Sequence, residues 1–299
     1  TNDEWFELKN NTSHTIDLSQ WALIAKGGTP RVKLAGVILP HAYIIFERTD
    51  DTAVKDVLAH ATTTGQLDND GEQLSLSHAS TTFDQTPDGA WVAGATSTRQ
   101  TMERYSSREL GTDPANWGTN LGYIKNGTDA KDNDIEGTPG AQNSVSTLIN
   151  KGEDITSDFT LTTDEERYVV PNQILINASS TLTIEPGVVI QFTRGGLWVK
   201  GAIDAEGTSE NPVIFKSFSE DRAGNFYIDN ATGTSTFEHT HFENMNNVFS
   251  VSGGALEIKD SEFVNTDGGV DAYDTNSTVL IENTNFSSST RDTIGVYNG

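Results

Sequence analysis

Phenylalanine recurs in step towards the end of this chain. Phe242, Phe263 and Phe286 stand 21 and 23 residues apart, and Phe237, Ile258 and Ile281 each precede one of them by five positions. Leu256 and Leu280 read as a further aligned pair. The stretches that carry them, FEHTHFE, ALEIKDSEFV and TVLIENTNF, alternate apolar with polar residues, which is the period of a strand rather than a helix. A repeat of roughly 20–29 residues built from short strands and polar turns predicts a β-solenoid. One coil cannot bury its own apolar face. Stacked coils bury a continuous column, with the phenylalanines at the same place in each.

The first half reads differently. EWFELKN, IDLSQWALI, VKLAGVILP, AYIIFER and EQLSLS are short alternating runs, with Phe6 and Leu8 on one face of the first. They are separated by NNTS, KGGTP, DNDG, TPDG and KNGTD, clusters rich in turn-forming residues. Several short strands within about 100 residues predict a β-sandwich or barrel. The single helical candidate is DTAVKDVLAH, residues 51–60. Residues 144–158 hold few large apolar side chains and read as a linker. The expected fold class is therefore all-β, with a sandwich over 1–143, a linker over 144–158 and a solenoid over 159–299.

Specific residues give these halves a family likeness. Asp3-Glu4-Trp5-Phe6-Glu7-Leu8-x-Asn10 and Ile16-Asp17-Leu18-Ser19-x-Trp21-x-Leu23 open a pattern. It continues through Gly36-x-Ile38-Leu39-Pro40, Tyr43-Ile44-Ile45-Phe46-Glu47 and Leu67-x-Asn69-x-Gly71-Glu72-x-Leu74-x-Leu76. Thr101-Met102-Glu103-Arg104, Asn116-Trp117 and Thr138-Pro139-Gly140-Ala141-x-Asn143 complete it. In that order these elements resemble the lamin-tail domain. The resemblance implies an immunoglobulin-like β-sandwich and, as in bacterial members, a module of exported or surface proteins. The family usually has one more strand before the Asp-Glu-Trp segment, so a fragment, or a first strand supplied from outside, is expected. Leu182-Thr183-Ile184-Glu185-Pro186-Gly187-Val188-Val189-Ile190 and Gly201-x-Ile203-x-Ala205-x-Gly207-Thr208 resemble the first coils of right-handed parallel β-helices. That likeness implies architecture and no activity. Thr1 at the start, and no capping segment after TIGVY, fit a chain continuing beyond both ends.

Charge narrows the partners. The formal net charge is −24, of which residues 1–150 carry −9 and residues 151–299 carry −15. Such a field repels nucleic acid and anionic lipid and attracts divalent cations. There is no cysteine, hence no disulfide framework and no thiolate chemistry. No apolar run approaches the roughly 20 residues of a membrane-spanning helix, so direct membrane insertion is not expected.

Candidate sites are few. Asn265-Thr266-Asp267-Gly268-Gly269-Val270-Asp271 resembles the Asn-Thr-Asp-Gly-x-Asp stretch of pectin-cleaving β-helix hydrolases, which work with paired carboxylates. That likeness would make Asp267 and Asp271 catalytic. An extra glycine precedes Asp271, Ser288-Ser289-Thr290-Arg291-Asp292 stands where further aspartates belong, and a polar turn accounts for the same letters. Asp129, Asp132, Asp134 and Glu136 crowd one loop and are candidate calcium ligands, with Asp68 and Asp70 a second acidic turn. Stacked acidic rows, Asp271 with Asp274 and Asp292 and Glu238 with Glu257 and Glu282, would repel unless a cation or solvent separates them. His239 and His241, two apart, would share a strand face. Trp5, Trp21, Trp91 and Trp117 read mostly as core, while the direction of Trp198 is open. Arg104 reads as packing with Glu103 and Trp117. Seven Asn-x-Ser/Thr sequons, at Asn10, Asn11, Asn126, Asn177, Asn230, Asn276 and Asn285, matter only in a secretory host. No phosphate loop, Gly-x-Ser-x-Gly elbow or His-Glu-x-x-His occurs.

The expectation is a non-enzymatic extracellular or cell-surface protein, structural or adhesive. Its partners would be copies of itself, other surface proteins or polysaccharide, with calcium the one cofactor to consider. The alternatives are a polysaccharide-degrading β-helix enzyme with an accessory lamin-tail domain, and a lamin-tail module binding a protein partner on a β-helix spacer.

Overall fold

The computed structural model describes residues 4–122 and 127–297. Asp3 of the Asp-Glu-Trp run and the sequon at Asn126 lie outside the described residues. The chain is all-β: among the described residues, helix is confined to 3₁₀ turns at Pro114–Asn116, Val145–Thr147 and Ile149–Gly152. It divides into two compact units, Thr1–Ser146 and Thr147–Gly299.

In the first unit Trp5–Lys9 pairs antiparallel with Tyr43–Arg48, which is flanked by Ala61–Thr63. A four-stranded sheet runs Arg31–Lys33, Trp21–Ala25, Leu74–His78, Thr81–Gln85. Phe6, Leu8, Ile44 and Phe46 from one sheet and Leu23, Ala25, Val32 and Leu74 from the other share one apolar cluster. The segment 51–60, expected as a helix, is a series of turns. The reason is a competing acceptor: the buried Glu47 carboxylate takes the N–H groups of Ala53 (2.8 Å) and Val54 (3.3 Å), and Asp51 takes that of Ala59.

The second unit is a parallel β-solenoid of six coils, each giving one strand to each of three six-stranded sheets. The first sheet stacks Phe159–Leu161, Thr181–Ile184, Ala202–Glu206, Thr234–Glu238, Gly254–Lys259 and Ser277–Glu282. The second stacks Tyr168–Val170, Val189–Phe192, Val213–Ser217, Thr240–Glu243, Glu262–Val264 and Asn285–Ser287. The third stacks Ile174–Ile176, Leu197–Val199, Phe226–Asp229, Asn247–Ser252, Gly268–Ala272 and Ile294–Val296.

The register follows the phenylalanine spacing. Phe215, Phe242, Phe263 and Phe286 form one inward row, and Phe237, Ile258 and Ile281 another. Phe242 and Phe263 stack at 4.5 Å, as do Phe263 and Phe286. The leucine pair departs from its expected register. Leu256 stands over Val279, while Leu280 falls opposite Glu257 and points outward, 40% exposed. The two leucines are 24 residues apart where this sheet steps by 23, and an odd slip moves a side chain to the other face.

Corners between sheets use single residues in the left-handed region: His239 (φ 45°), Asp260 (47°) and Asn283 (48°) at one, Asn244 (51°), Asn265 (54°) and Ser288 (58°) at the next. Asn and Asp tolerate this region better than most residues. Asn265 Nδ2 also donates to Asn244 Oδ1 (3.1 Å), tying one corner to the next.

The segment 144–158 contributes residues to each of the two units. Ser144 Oγ and the Val145 N–H donate to Glu103 in the first unit, while Ile149 and Ile155 are buried in the solenoid core.

Candidate functional site

Asp267 sits at the corner that begins with Asn265, just before the strand Gly268–Ala272. Its carboxylate is held from two sides, by Arg222 Nη1 (3.5 Å) and Arg291 Nε (3.2 Å), and it accepts from Thr290 Oγ1. Arg222 also donates to Asn265 O (3.0 Å), Asn265 Oδ1 (2.8 Å) and Thr290 Oγ1 (3.0 Å). One guanidinium thus staples coils three, five and six. Asp271 belongs to the third sheet and accepts from Asn247 Nδ2 (2.6 Å) and the Tyr273 hydroxyl (3.2 Å). Burial and the Asp271 charge raise the Tyr273 phenol above its usual range. Each carboxylate is engaged in holding coils together.

The acidic rows resolve differently from their expected alignment. Glu238 lies beside Lys259, and Lys259 beside Glu282. Lys259 Nζ also reaches Glu257 Oε2 (2.7 Å), and the surrounding carboxylates, Glu257 foremost, hold its ammonium above the usual lysine range. A lysine therefore supplies the cation that the row requires. Asp274 accepts from Ser252, Ser277 and the Asn276 N–H at a turn and shares no row with Asp271. His239 occupies a corner and His241 the second sheet, so they do not share a strand. Among the described residues, Glu238, His239 and Asp260 are the one group of three acidic or histidine ligand atoms lying within 4.8 Å of one another.

In the loop of residues 129–136, Asp129 accepts from the N–H groups of Lys131 (2.8 Å) and Asn133 (2.9 Å) and pairs with Arg99 (3.2 Å). The Asn133 bonds, first among these, hold its carboxyl below the usual range. Asp132 (φ 62°) turns to Lys55 (2.6 Å). Asp134 bridges Thr128 through the backbone, and Glu136 bridges Gln100 in the same way. The carboxylates of Asp129 and Asp132 thus face N–H donors and cations. At the second turn Asp68 Oδ1 accepts the Asp70 N–H (2.9 Å), and the Asp68 carbonyl takes Trp91 Nε1 (2.8 Å).

Sequence reasoning missed the buried carboxylates of the first unit. Glu103 accepts from Thr101, Asn120, Thr138, Ser144 and the Val145 N–H. Arg104 pairs with Asp84 (2.6 Å) and lies over Trp117, rather than pairing with Glu103. Burial pushes Glu7 up to about 8, against a Gly140 N–H bond that lowers it, with the Glu103 charge adding to the rise. Desolvation also raises Glu47. The signal was the acidic residue in each strand motif, legible only once those strands are known to face inward.

All five tryptophans are half-buried, and Trp21 packs against the apolar cluster of the first unit. Trp198 faces outward on the third sheet, beside Tyr227 of the next coil at 5.8 Å.

No family model matches the chain, and no solved structure matches it. A similar curated protein is the Drosophila melanogaster "Protein bark beetle", 36% identical over 83 residues. That stretch is 27% of this chain and 3% of the relative. Among the described residues no helix is long and apolar enough to cross a membrane.

Proposed function

We propose that this chain is a non-enzymatic extracellular or cell-surface scaffold with a structural or adhesive role. The observation that carries the reading is the use of the solenoid's polar side chains. Asp267 and Asp271, the carboxylates best placed for chemistry, are each bonded across coils, which stiffens a rod and leaves its sheets as long continuous faces. Such faces suit extended partners or further copies. We assign the first unit to the lamin-tail, immunoglobulin-like class. That assignment is supported by the motif residues and by an apolar cluster shared between two sheets. Edge strands offer unpaired backbone groups for joining copies by strand addition, and the net charge of −24 favours divalent cations as cross-links.

Sedimentation velocity of the purified chain, in millimolar calcium and then in chelator, tests this reading. Concentration-dependent growth into large species is expected, reversed by chelator if calcium is the cross-link. A monomer under both conditions, together with no retention on cells or polysaccharide, overturns it.

A further inference from the structure

The outward aromatic residues of the solenoid are concentrated on one sheet. Trp198, Tyr227, Tyr273 and Tyr297 all project from the third sheet or its end. The outer positions of the first sheet include Thr183, Asp204, Thr236, Glu257 and Leu280, and those of the second include Ile214, His241, Glu243 and Glu262.

Beside Tyr227 the corner between the second and third sheets is recessed into a cleft of about 410 Å³. Its lining includes Asn172, Gln173, Arg194, Asn225 and Tyr227. The recess has a local cause. A Cβ on Gly195 would stand 1.9 Å from the Asn172 carbonyl carbon, and one on Gly196 would stand 2.2 Å from Asn225 Oδ1. Neither glycine has positive φ, so both are required for space and not for backbone conformation. They let the corner sink between its neighbours.

The polar groups here differ from those elsewhere in the rod. At the corners of later coils, Asn244, Asn247 and Asn265 spend their amides on neighbouring coils. Among the described residues the side chains of Asn172, Gln173 and Asn225 make no hydrogen bond, and Arg194 has no carboxylate partner. Three free amides, a free guanidinium and a tyrosine ring thus converge on one cleft whose volume lies in the range of ligand sites.

We propose that this cleft binds a neutral glycan chain. Amides and a guanidinium match the paired donors and acceptors of sugar hydroxyls. The Tyr227 ring gives the apolar face of a pyranose a surface to lie on, and Trp198, tilted by 53°, continues that surface to the preceding coil. A polyanionic chain is disfavoured by the −15 carried by residues 151–299. The inference deepens the adhesive reading and rests on it, by naming what one face would hold.

The test is calorimetry on the full chain with cellohexaose, laminarihexaose, mannohexaose and chitohexaose, and with hexagalacturonate as the anionic arm. At least one neutral hexasaccharide binds with a Kd below roughly 1 mM, and Tyr227→Ala weakens it by about tenfold or more. Arg194→Ala weakens the same sugar, while Tyr273→Ala, in the other aromatic row, leaves it unchanged. Circular dichroism of each variant confirms that the coils persist. No binding by any neutral hexasaccharide, binding of hexagalacturonate alone, or binding indifferent to both Tyr227→Ala and Arg194→Ala overturns the proposal. Self-association in sedimentation velocity is read separately, so losing the glycan while retaining assembly rejects the cleft and leaves the scaffold standing.

Discussion

Replacing Phe242 by alanine removes the ring on which the middle of the solenoid converges. Its centroid lies 4.5 Å from Phe263, 5.2 Å from Phe249, 5.6 Å from Phe215 and 5.7 Å from Phe237, and the side chain is fully buried. A buried Phe→Ala change costs about 3–5 kcal/mol. The upper half of that range applies, because five-ring packing within parallel sheets cannot collapse without breaking register and each lost aromatic pair adds roughly 0.5–1.5 kcal/mol. The assay is guanidinium unfolding followed by circular dichroism, with hydrogen exchange to locate the loss. Because each coil stacks its strands and inner rows on its two neighbours, exchange should rise first in coils three to five. Leu280→Ala is the control: its side chain points outward, and the change should stay within about 0.5 kcal/mol. Val279→Ala, beside it and packed on the core, should cost more. A Phe242→Ala loss below about 1 kcal/mol, or one no larger than that of Leu280→Ala, would refute the stacking register.

Three further outcomes follow. Glu7 takes its proton more tightly when folded (about 8) than its ordinary 4.5 allows. Its contribution is full below pH 4.5 and is lost as pH rises through about 8, with a ceiling of about 4–5 kcal/mol. Glu7→Gln should flatten that alkaline decline in urea titrations and change little near pH 4.5. Arg222→Ala removes one staple across three coils and should cost about 1–2 kcal/mol by chemical denaturation, raising exchange at the Asn265 corner. Glu103→Ala leaves several buried donors unpaired and should cost at least about 3 kcal/mol in the same assay, with Glu103→Gln recovering part of it.

The solenoid was legible because its inner rows repeat the same residue type: phenylalanine over phenylalanine needs only a period. Register was less so, since Leu280 looks like a partner for Leu256 until the step between those strands is known to be 23. Lys259 shows the same limit, as a lysine two places from Glu257 gives no sign that it neutralises Glu238 and Glu282. Long-range bonds were invisible, as with Arg222, which acts 43 and 68 residues away. The segment 51–60 has helix-like spacing, but the Glu47 carboxylate competes for its N–H groups. Of the cleft beside Tyr227, the sequence offered only the neighbouring Trp198, without its direction. The paired glycines Gly195-Gly196 were the signal, and their meaning required the neighbouring coils.

The central claim is that this chain works by presenting surfaces and not by turnover. The direct measurement is soluble sugar released from insoluble polysaccharides, pectin included, by the chain and by Asp267→Asn. The account predicts no release above a protein-free control for either. Release by the unaltered chain that Asp267→Asn abolishes, with its circular dichroism spectrum intact, would contradict it.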